Sequence, residues 1–320
     1  MSGLLPLFDS PPEFDRERLA ARLRELADSG IYVGGSSWKY EGWIGQIYTP
    51  GRYLSRGRFS RKKFEQGCLA EYAETFPIVG GDFSFYQFPS DEFWRQLFGG
   101  APEYLKFGLK VPEEITVKRF PTHRRFGPRA GEENPAFLSV PMLDDCFLRP
   151  LRPYAGRIAV LIFEFGTFSR ASYPEPRKFF EELDRFLSAL PRNEFRYAVE
   201  VRNQEYLRSE YFDLLRRHRV AHVFNGWTRM PPIDEQIRIP GAFTADFIVA
   251  RALLRVGRPY QRAVEKFSPY DRVQEESPRT RAALRDLIEH AKTRRIPAYL
   301  FVNNRLEGNA PITIQAVVED

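Results

Sequence analysis

The sequence reads as a single TIM-type (β/α)8 barrel, an α/β fold, with an N-terminal helical extension. Three features carry that reading. Eight strand-like segments recur between residues 31 and 304. Most of them are separated by amphipathic helical segments, and strand–helix alternation implies parallel strands joined by right-handed crossovers. No linker, repeat or low-complexity run divides the 320 residues, and one barrel commonly takes about 250. Residues 1–30 are therefore read as an arm and a helix, and residues 31–320 as one barrel domain. An open doubly wound sheet is the alternative. Eight units favour closure over it, and no strand leads into the GxGxxG turn of a dinucleotide site.

Taken in order, residues 1–13 read as a loose arm. From Glu13 to Ala27 the apolar residues Phe14, Leu19, Leu23 and Leu26 recur at helical spacing until Ser29-Gly30 stops them, a short helix expected to cover the closed end of the barrel. IYVGGSS (31–37) is the first strand and RKKFEQGCLAEYAETF (61–76) its helix. PIVGGDFSFY (77–86) is the second strand, followed by a helix at 90–98 that Ser90 caps ahead of Asp91-Glu92, where acidic residues suit the helix dipole. YLKFGLKV (104–111) alternates cleanly, and a short helix follows at 141–151. RIAVLIFEF (157–165) is a continuous apolar run, as a strand buried on both faces should be. PEPRKFFEELDRFLSAL (174–190) is a strong helix, FRYAVEVR (195–202) a strand, SEYFDLLRRH (209–218) a helix and VAHVFN (220–225) a strand. FIVARAL (247–253), a helix at 277–294 and PAYLFVNN (297–304) close the series. Gly34-Gly35 and Gly80-Gly81 fall inside strands, where glycine permits close packing or a bulge. Three segments have no element assigned: 118–140, 226–245 and 257–276. Each follows a strand, so each belongs to the carboxyl face of a barrel. The first of them, rich in Pro, Gly and Arg, is expected to be a mobile cationic flap.

Composition excludes several classes. Hydrophobic residues are 43% of the chain and charged residues 28%, unlike a disordered tail, a collagen-like repeat or a membrane bundle. The net charge is +6 with pI near 9.3, and 39 of the 48 basic residues are arginine, whose planar fork grips carboxylate or phosphate. Cys68 and Cys146 stand far apart, which excludes a disulfide framework and a four-cysteine zinc site. A reducing, cytoplasmic location is the simple expectation. The start MSGLLPLFDSPPEF lacks the basic opening of a secretory signal, and no apolar run approaches the roughly 20 residues of a membrane helix.

Side chains alternate across a strand, so parity selects the residues that face the barrel interior. It turns Lys110, Glu200, Arg202 and Asp82 inward, with Tyr86 on the parity of Asp82. Glu164 ends the fourth strand, Asn225 the sixth, Arg251 lies on the seventh, and Asn303-Asn304 end the eighth. Charge inside a barrel is costly unless it is paired or wet. Here it gathers at the carboxyl ends, where barrel enzymes place their chemistry. Lys110, Arg202 and Arg251 are candidate holders of an anion, and Asn225, Asn303 and Asn304 candidate neutral contacts. Glu200 and Glu164, on adjacent strands, are the candidate acid–base pair, since one of two close carboxylates can keep its proton near neutral pH. Trp38, Tyr40, Trp43, Tyr86 and Trp227 offer flat faces for a sugar or a base. The structural alternative is that Asp82–Lys110 and Glu200–Arg202 simply neutralise each other. Among four histidines, His218 and His222 are four apart but straddle a helix end and a strand, so no histidine metal site is expected. Asp82, Glu164 and Glu200 leave an all-oxygen site open. No cofactor is called for, and a nucleophile elbow, a P-loop and a Cys–His pair are missing from the sequence.

Five segments resemble the YecE-like family, also called domain of unknown function 72. VGGSSWKYEGWIGQIYTPG (33–51) is similar to its opening strand and aromatic loop. FSFYQFPS (83–90), LKVPEEIT (109–116), AVEVRN (198–203) and FVNNRLEGNAP (301–311) are similar to its later motifs and occur in the same order. The resemblance implies a TIM-barrel fold and makes Tyr86, Lys110, Glu200, Arg202, Asn303 and Asn304 motif residues, with no role fixed for any. Two departures stand out: Gly80 and Asp82 replace a Glu-x-Asn pattern, and Glu164 stands where the family often has Gln.

The function expected from these residues is a metal-independent barrel enzyme acting on an anionic small molecule. That molecule would be phosphorylated or carboxylated and could include a sugar. A nucleic-acid-binding or -processing barrel is the second expectation, favoured by HRRFGPR (123–129). A non-catalytic binding module on an enzyme scaffold is the third.

Overall fold

The computed structural model describes residues 14–319; the N-terminal arm lies outside them. Eight parallel strands surround one axis: β1 (Ile31–Gly35), β2 (Ile78–Gly81), β3 (Lys106–Lys110), β4 (Ile158–Phe165), β5 (Tyr197–Val201), β6 (Ala221–Gly226), β7 (Ile248–Ala252) and β8 (Ala298–Val302). Neighbours in sequence pair from β2 through β8, with one register shift between β3 and β4 at Phe107/Gly108, and β8 pairs back onto β1. This is the TIM-barrel-like architecture that the strand–helix rhythm implies, not an open sheet. Outside it lie α1 (Arg16–Asp28), α2 (Arg61–Ala73), α3 (Asp91–Gly99), α4 (Pro176–Ala189), α5 (Ser209–His218), α6 (Pro278–Arg294) and α7 (Ala310–Val318). Ser90 caps α3 as expected, its hydroxyl accepting the Phe93 amide at 3.2 Å. α1 does form, and it joins the two ends of the chain: the Asp15 amide donates to Gln315 at 3.2 Å and Arg22 to the Val318 carbonyl at 3.0 Å.

Two apolar layers result. The larger lies between sheet and helices. The smaller fills the lower barrel with Ile78, Val160, Ala198, Val223, Val249 and Phe301. Phe301 requires Gly108 opposite it, since a Cβ there would meet the ring at 2.2 Å. Such a core keeps water from the lower half of the barrel interior, and the interior charges gather at the carboxyl rim, where barrel enzymes place their chemistry.

The seam between β1 and β2 is built differently. These strands lie together with no ladder between them. Gly34 lets them approach, because a Cβ on it would sit 2.0 Å from the Ile78 carbonyl oxygen. The Tyr72 hydroxyl, reaching in from α2, accepts the Gly35 amide at 2.7 Å and donates to the Ile78 carbonyl at 2.9 Å. One side chain thus serves both backbone groups that a ladder would have paired.

The long connections depart from expectation. Residues 226–245 contain a helix at Ile233–Arg238, and residues 257–276 another at Tyr260–Phe267. Residues 118–140 are a packed element rather than a free flap. Phe120 and Phe126 are buried, Arg125 pairs with Glu113 at 2.7 Å and Arg129 with Glu114 at 2.8 Å. The Asn134 amide donates to the Glu114 and Val117 carbonyls at 2.7 Å each, and its oxygen accepts the Ala136 amide at 3.0 Å. Asn134→Ala should therefore cost about 1–3 kcal/mol in denaturant unfolding, because buried carbonyls lose their donor; an unchanged midpoint would return the segment to the status of a free loop.

Candidate functional site

The carboxyl rim carries six interlocked charges. Asp82 follows β2, Lys110 ends β3, Glu164 lies on β4, Glu200 on β5, Arg202 just beyond it, and Arg251 on β7. Glu164 and Glu200 are register partners on adjacent strands, which places both on the inner wall at one height. The Arg251 guanidinium lies between the carboxylates, 2.7 Å from Glu164 Oε2, 2.5 Å from Glu200 Oε2 and 3.1 Å from Asp82 Oδ1. Lys110 Nζ stands 2.9 Å from Glu164 Oε2 and 3.6 Å from Asp82 Oδ1. Arg202 closes the ring, its Nη2 2.8 Å from Glu164 Oε2 and its Nε 3.1 Å from Glu200 Oε1. Three cations face three carboxylates, and the set is neutral.

Aromatic faces back two of the cations. The Arg202 guanidinium lies 3.6 Å from the centre of the Trp227 ring, and Lys110 Nζ lies 3.8 Å from that of Phe85; both are cation–π distances. Exposure is graded across the cluster. The side chains of Glu200, Arg251 and Glu164 are 0%, 4% and 5% exposed, Lys110 and Arg202 8% and 12%, and Asp82 33%. Asp82 and, less so, Arg202 therefore form the solvent side, while Lys110 is buried.

The two glutamates are not equivalent. Both Glu200 oxygens bond arginine nitrogens. All three cations instead converge on Glu164 Oε2, and Oε1 accepts none of them. Burial alone would raise the Glu164 pKa. The charges of Arg202, Lys110 and Arg251 outweigh it and hold the carboxyl below its usual range. Burial likewise opposes the charge on Arg251, but Glu200, Asp82 and Glu164 more than compensate and raise its pKa.

The other expected residues fall in several places. Asn225 is buried and in register with Arg251. Its amide nitrogen donates to the Val201 and Val223 carbonyls at 3.2 Å each, while Oδ1 has no partner. Asn303 donates to Ser36 Oγ at 2.5 Å across β8 and β1 and accepts the Arg305 amide at 2.9 Å. Asn304 turns away from the axis, accepting from Trp43 Nε1 at 3.2 Å and from the Ala310 amide at 2.7 Å. Trp38 is buried, edge to face with Phe83. Tyr86 is 61% exposed and lies beside Arg125, 5.2 Å from ring centre to guanidinium. The parity that grouped it with Asp82 fails because β2 stops at Gly81 and the chain turns through a 3-10 helix at Phe83–Phe85. That turn brings Phe85 under Lys110 and lets Ser84 Oγ donate to the Lys110 carbonyl at 2.6 Å. Neither contact is visible from strand alternation. His222 faces outward into the helix layer, as its parity requires, and burial lowers its pKa to about 4. Among the described residues no group of three His, Cys, Asp or Glu is arranged to hold a metal ion. The space between Asp82, Glu164 and Glu200 is taken by the nitrogens of Arg251 and Lys110. No helix among the described residues is long and apolar enough to cross a membrane.

Comparison with known proteins agrees with this architecture. The family model described as "Protein of unknown function DUF72" matches residues 32–320. Two similar solved structures are a DUF72 family protein from Thermotoga maritima MSB8 and another from Enterococcus faecalis V583. The first is 22% identical with a TM-score of 0.58, over 91% of this chain and 99% of that one. The second is 16% identical with a TM-score of 0.58, over 91% of this chain and 96% of that one. At those identities the likeness concerns the fold. No curated protein matches the chain.

Proposed function

We propose a function from the geometry of the rim alone, because the chain belongs to the DUF72 family and a family of unknown function assigns it no reaction. The protein is a barrel that binds a small phosphorylated or carboxylated molecule at its carboxyl rim and acts on it by carboxylate chemistry. One observation carries this reading: six mutually paired charges from five strands, buried on the axis side and reached by solvent at Asp82 and, less so, at Arg202. A stabilising role alone would be met by fewer charges, since buried ion pairs are a poor source of stability against apolar packing.

The roles follow from exposure and bonding. Arg251, enclosed by three carboxylates, holds the cluster together. Arg202 and Lys110 are the cations an anion reaches first, with Trp227 and Phe85 fixing their positions. An anion taking hold of them draws them from Glu164, whose pKa then rises. Glu164, with Oε1 uncommitted, becomes the group that accepts a proton and can later return it. Glu200, bound through both oxygens, keeps Arg202 and Arg251 in place.

Calorimetry with phosphate, sulfate and small carboxylates tests this. The wild type should bind at least one of them at millimolar concentration or better, with proton uptake shown by buffers of different ionisation enthalpy. Arg202→Met should weaken that binding at least tenfold, about 1.4 kcal/mol. No binding to the wild type would leave the cluster as a structural lattice of charges.

A further inference from the structure

A pocket of about 450 Å³ opens beside the charge cluster, between the loops that follow β1 and β2 and helices α2 and α3. Its apolar walls are Trp38, Leu69, Phe83, Phe93 and Leu97. The aromatic members brace one another: the Trp38 and Phe83 ring centres are 5.8 Å apart, edge to face, and those of Phe83 and Phe93 are 5.1 Å apart. The volume falls in the usual small-molecule range of roughly 300–1,000 Å³.

Asp82 belongs to both regions. It lines the pocket, and its Oδ1 faces Arg251 and Lys110. Its Oδ2 has no partner among the described residues. The pocket therefore presents flat apolar walls and, where it meets the charge cluster, one carboxylate oxygen ready to accept; the exposed side chains Lys39, Glu65, Gln66 and Gln96 add further polar groups to its lining. A delocalised ring with N–H donors satisfies both features. The border with the anion site is short, because Lys110 Nζ lies 3.6 Å from Asp82 Oδ1.

We propose that the ligand is a nucleotide-like molecule: a flat nitrogen heterocycle seated against Trp38, Phe83 and Phe93 and donating to Asp82, joined to an anionic group held by Lys110 and Arg202. This rests on the anion-binding reading above and adds the chemistry of the rest of the ligand.

Calorimetry compares inorganic phosphate, the four common ribonucleosides and their 5′-monophosphates on three proteins: wild type, Leu97→Trp and Gln96→Trp. The first substitution fills the pocket. The second crowds its mouth from an exposed position, so it leaves the core intact should Leu97→Trp fail to fold. At least one monophosphate should bind the wild type tenfold more tightly than phosphate. Both variants should lose that gain while phosphate affinity stays within twofold. If every monophosphate binds no better than phosphate, or the gain survives in a folded variant, the pocket proposal is overturned and the anion site stands. If nucleosides bind and the variants abolish it while phosphate binds nothing, the pocket stands and the anion reading falls. Failure of all of them to bind the wild type removes both.

Discussion

Replacing Arg251 by Met should cost about 3–5 kcal/mol of folding stability, the usual result of stranding buried carboxylates without their cation. Arg251 contacts Glu164, Glu200 and Asp82 and is almost wholly buried, so water cannot replace it. Adding Glu200→Gln to that variant should recover part of the loss, because one uncompensated charge then disappears. Guanidinium unfolding of both proteins measures this, and a loss under about 1 kcal/mol, the scale of a surface pair, would mean that the cluster is wetter and looser than its distances indicate. The same cluster sets a pH dependence. In the unfolded chain Glu164 titrates near about 4.3, whereas in the folded protein Arg202, Lys110 and Arg251 outweigh burial and hold it lower. The unfolded state therefore takes up this proton first. The stabilisation is complete above the ordinary carboxylate range and fades as pH falls through it toward the folded value. Glu164→Gln should flatten the slope of stability against pH in that acid window; an unchanged slope would place the acid sensitivity in other groups.

Tyr72→Phe should be nearly as damaging, at about 2–5 kcal/mol, though it removes a single oxygen. The Gly35 amide and the Ile78 carbonyl both lose their partner at the seam, and each buried unpaired group costs about 1–3 kcal/mol. The ring remains to fill its space, which separates this effect from a cavity. Thermal and denaturant unfolding give the size of the loss, and hydrogen exchange at Gly35 gives its place. A variant as stable as the wild type with a protected Gly35 amide would mean that the strands close on each other unaided.

How much of this was legible in the sequence depended on how far a regular strand extends. Lys110, Glu164, Glu200, Asn225 and Arg251 lie within strands and Asn303 just beyond one; two-residue alternation turns Lys110 and Glu200 inward, and the others are legible from their place on or at the carboxyl end of a strand. Tyr86 and Asn304 lie past strand ends, where alternation no longer governs direction. The pairing of Arg251 with Asp82 was not legible. It spans the barrel between β7 and β2, and only closure brings those strands face to face. The basic run at 123–129 misled for a different reason. Arginine beside glycine and proline reads alike whether it is solvated or paired, and the partners Glu113 and Glu114 sit 12 and 15 residues from Arg125 and Arg129. The pocket walls from α2 and α3 fall in segments legible only as helices, since nothing in their spacing separates a residue packed on the sheet from one lining a gap beside it.

The neutrality of the rim cluster bears on kinetics. Three positive and three negative groups held within a few ångströms of one another cancel at a distance, so little of their field extends beyond the roughly 8 Å Debye length of physiological salt. Such a mouth does not draw an anion in from solution. Encounter should proceed at an ordinary, weakly salt-dependent rate. Discrimination would then come after arrival, when the newcomer must displace a carboxylate from a lysine or arginine already satisfied. Only a ligand that makes the exchange worthwhile would stay, and residence time rather than capture would separate the right molecule from the many anions of similar charge.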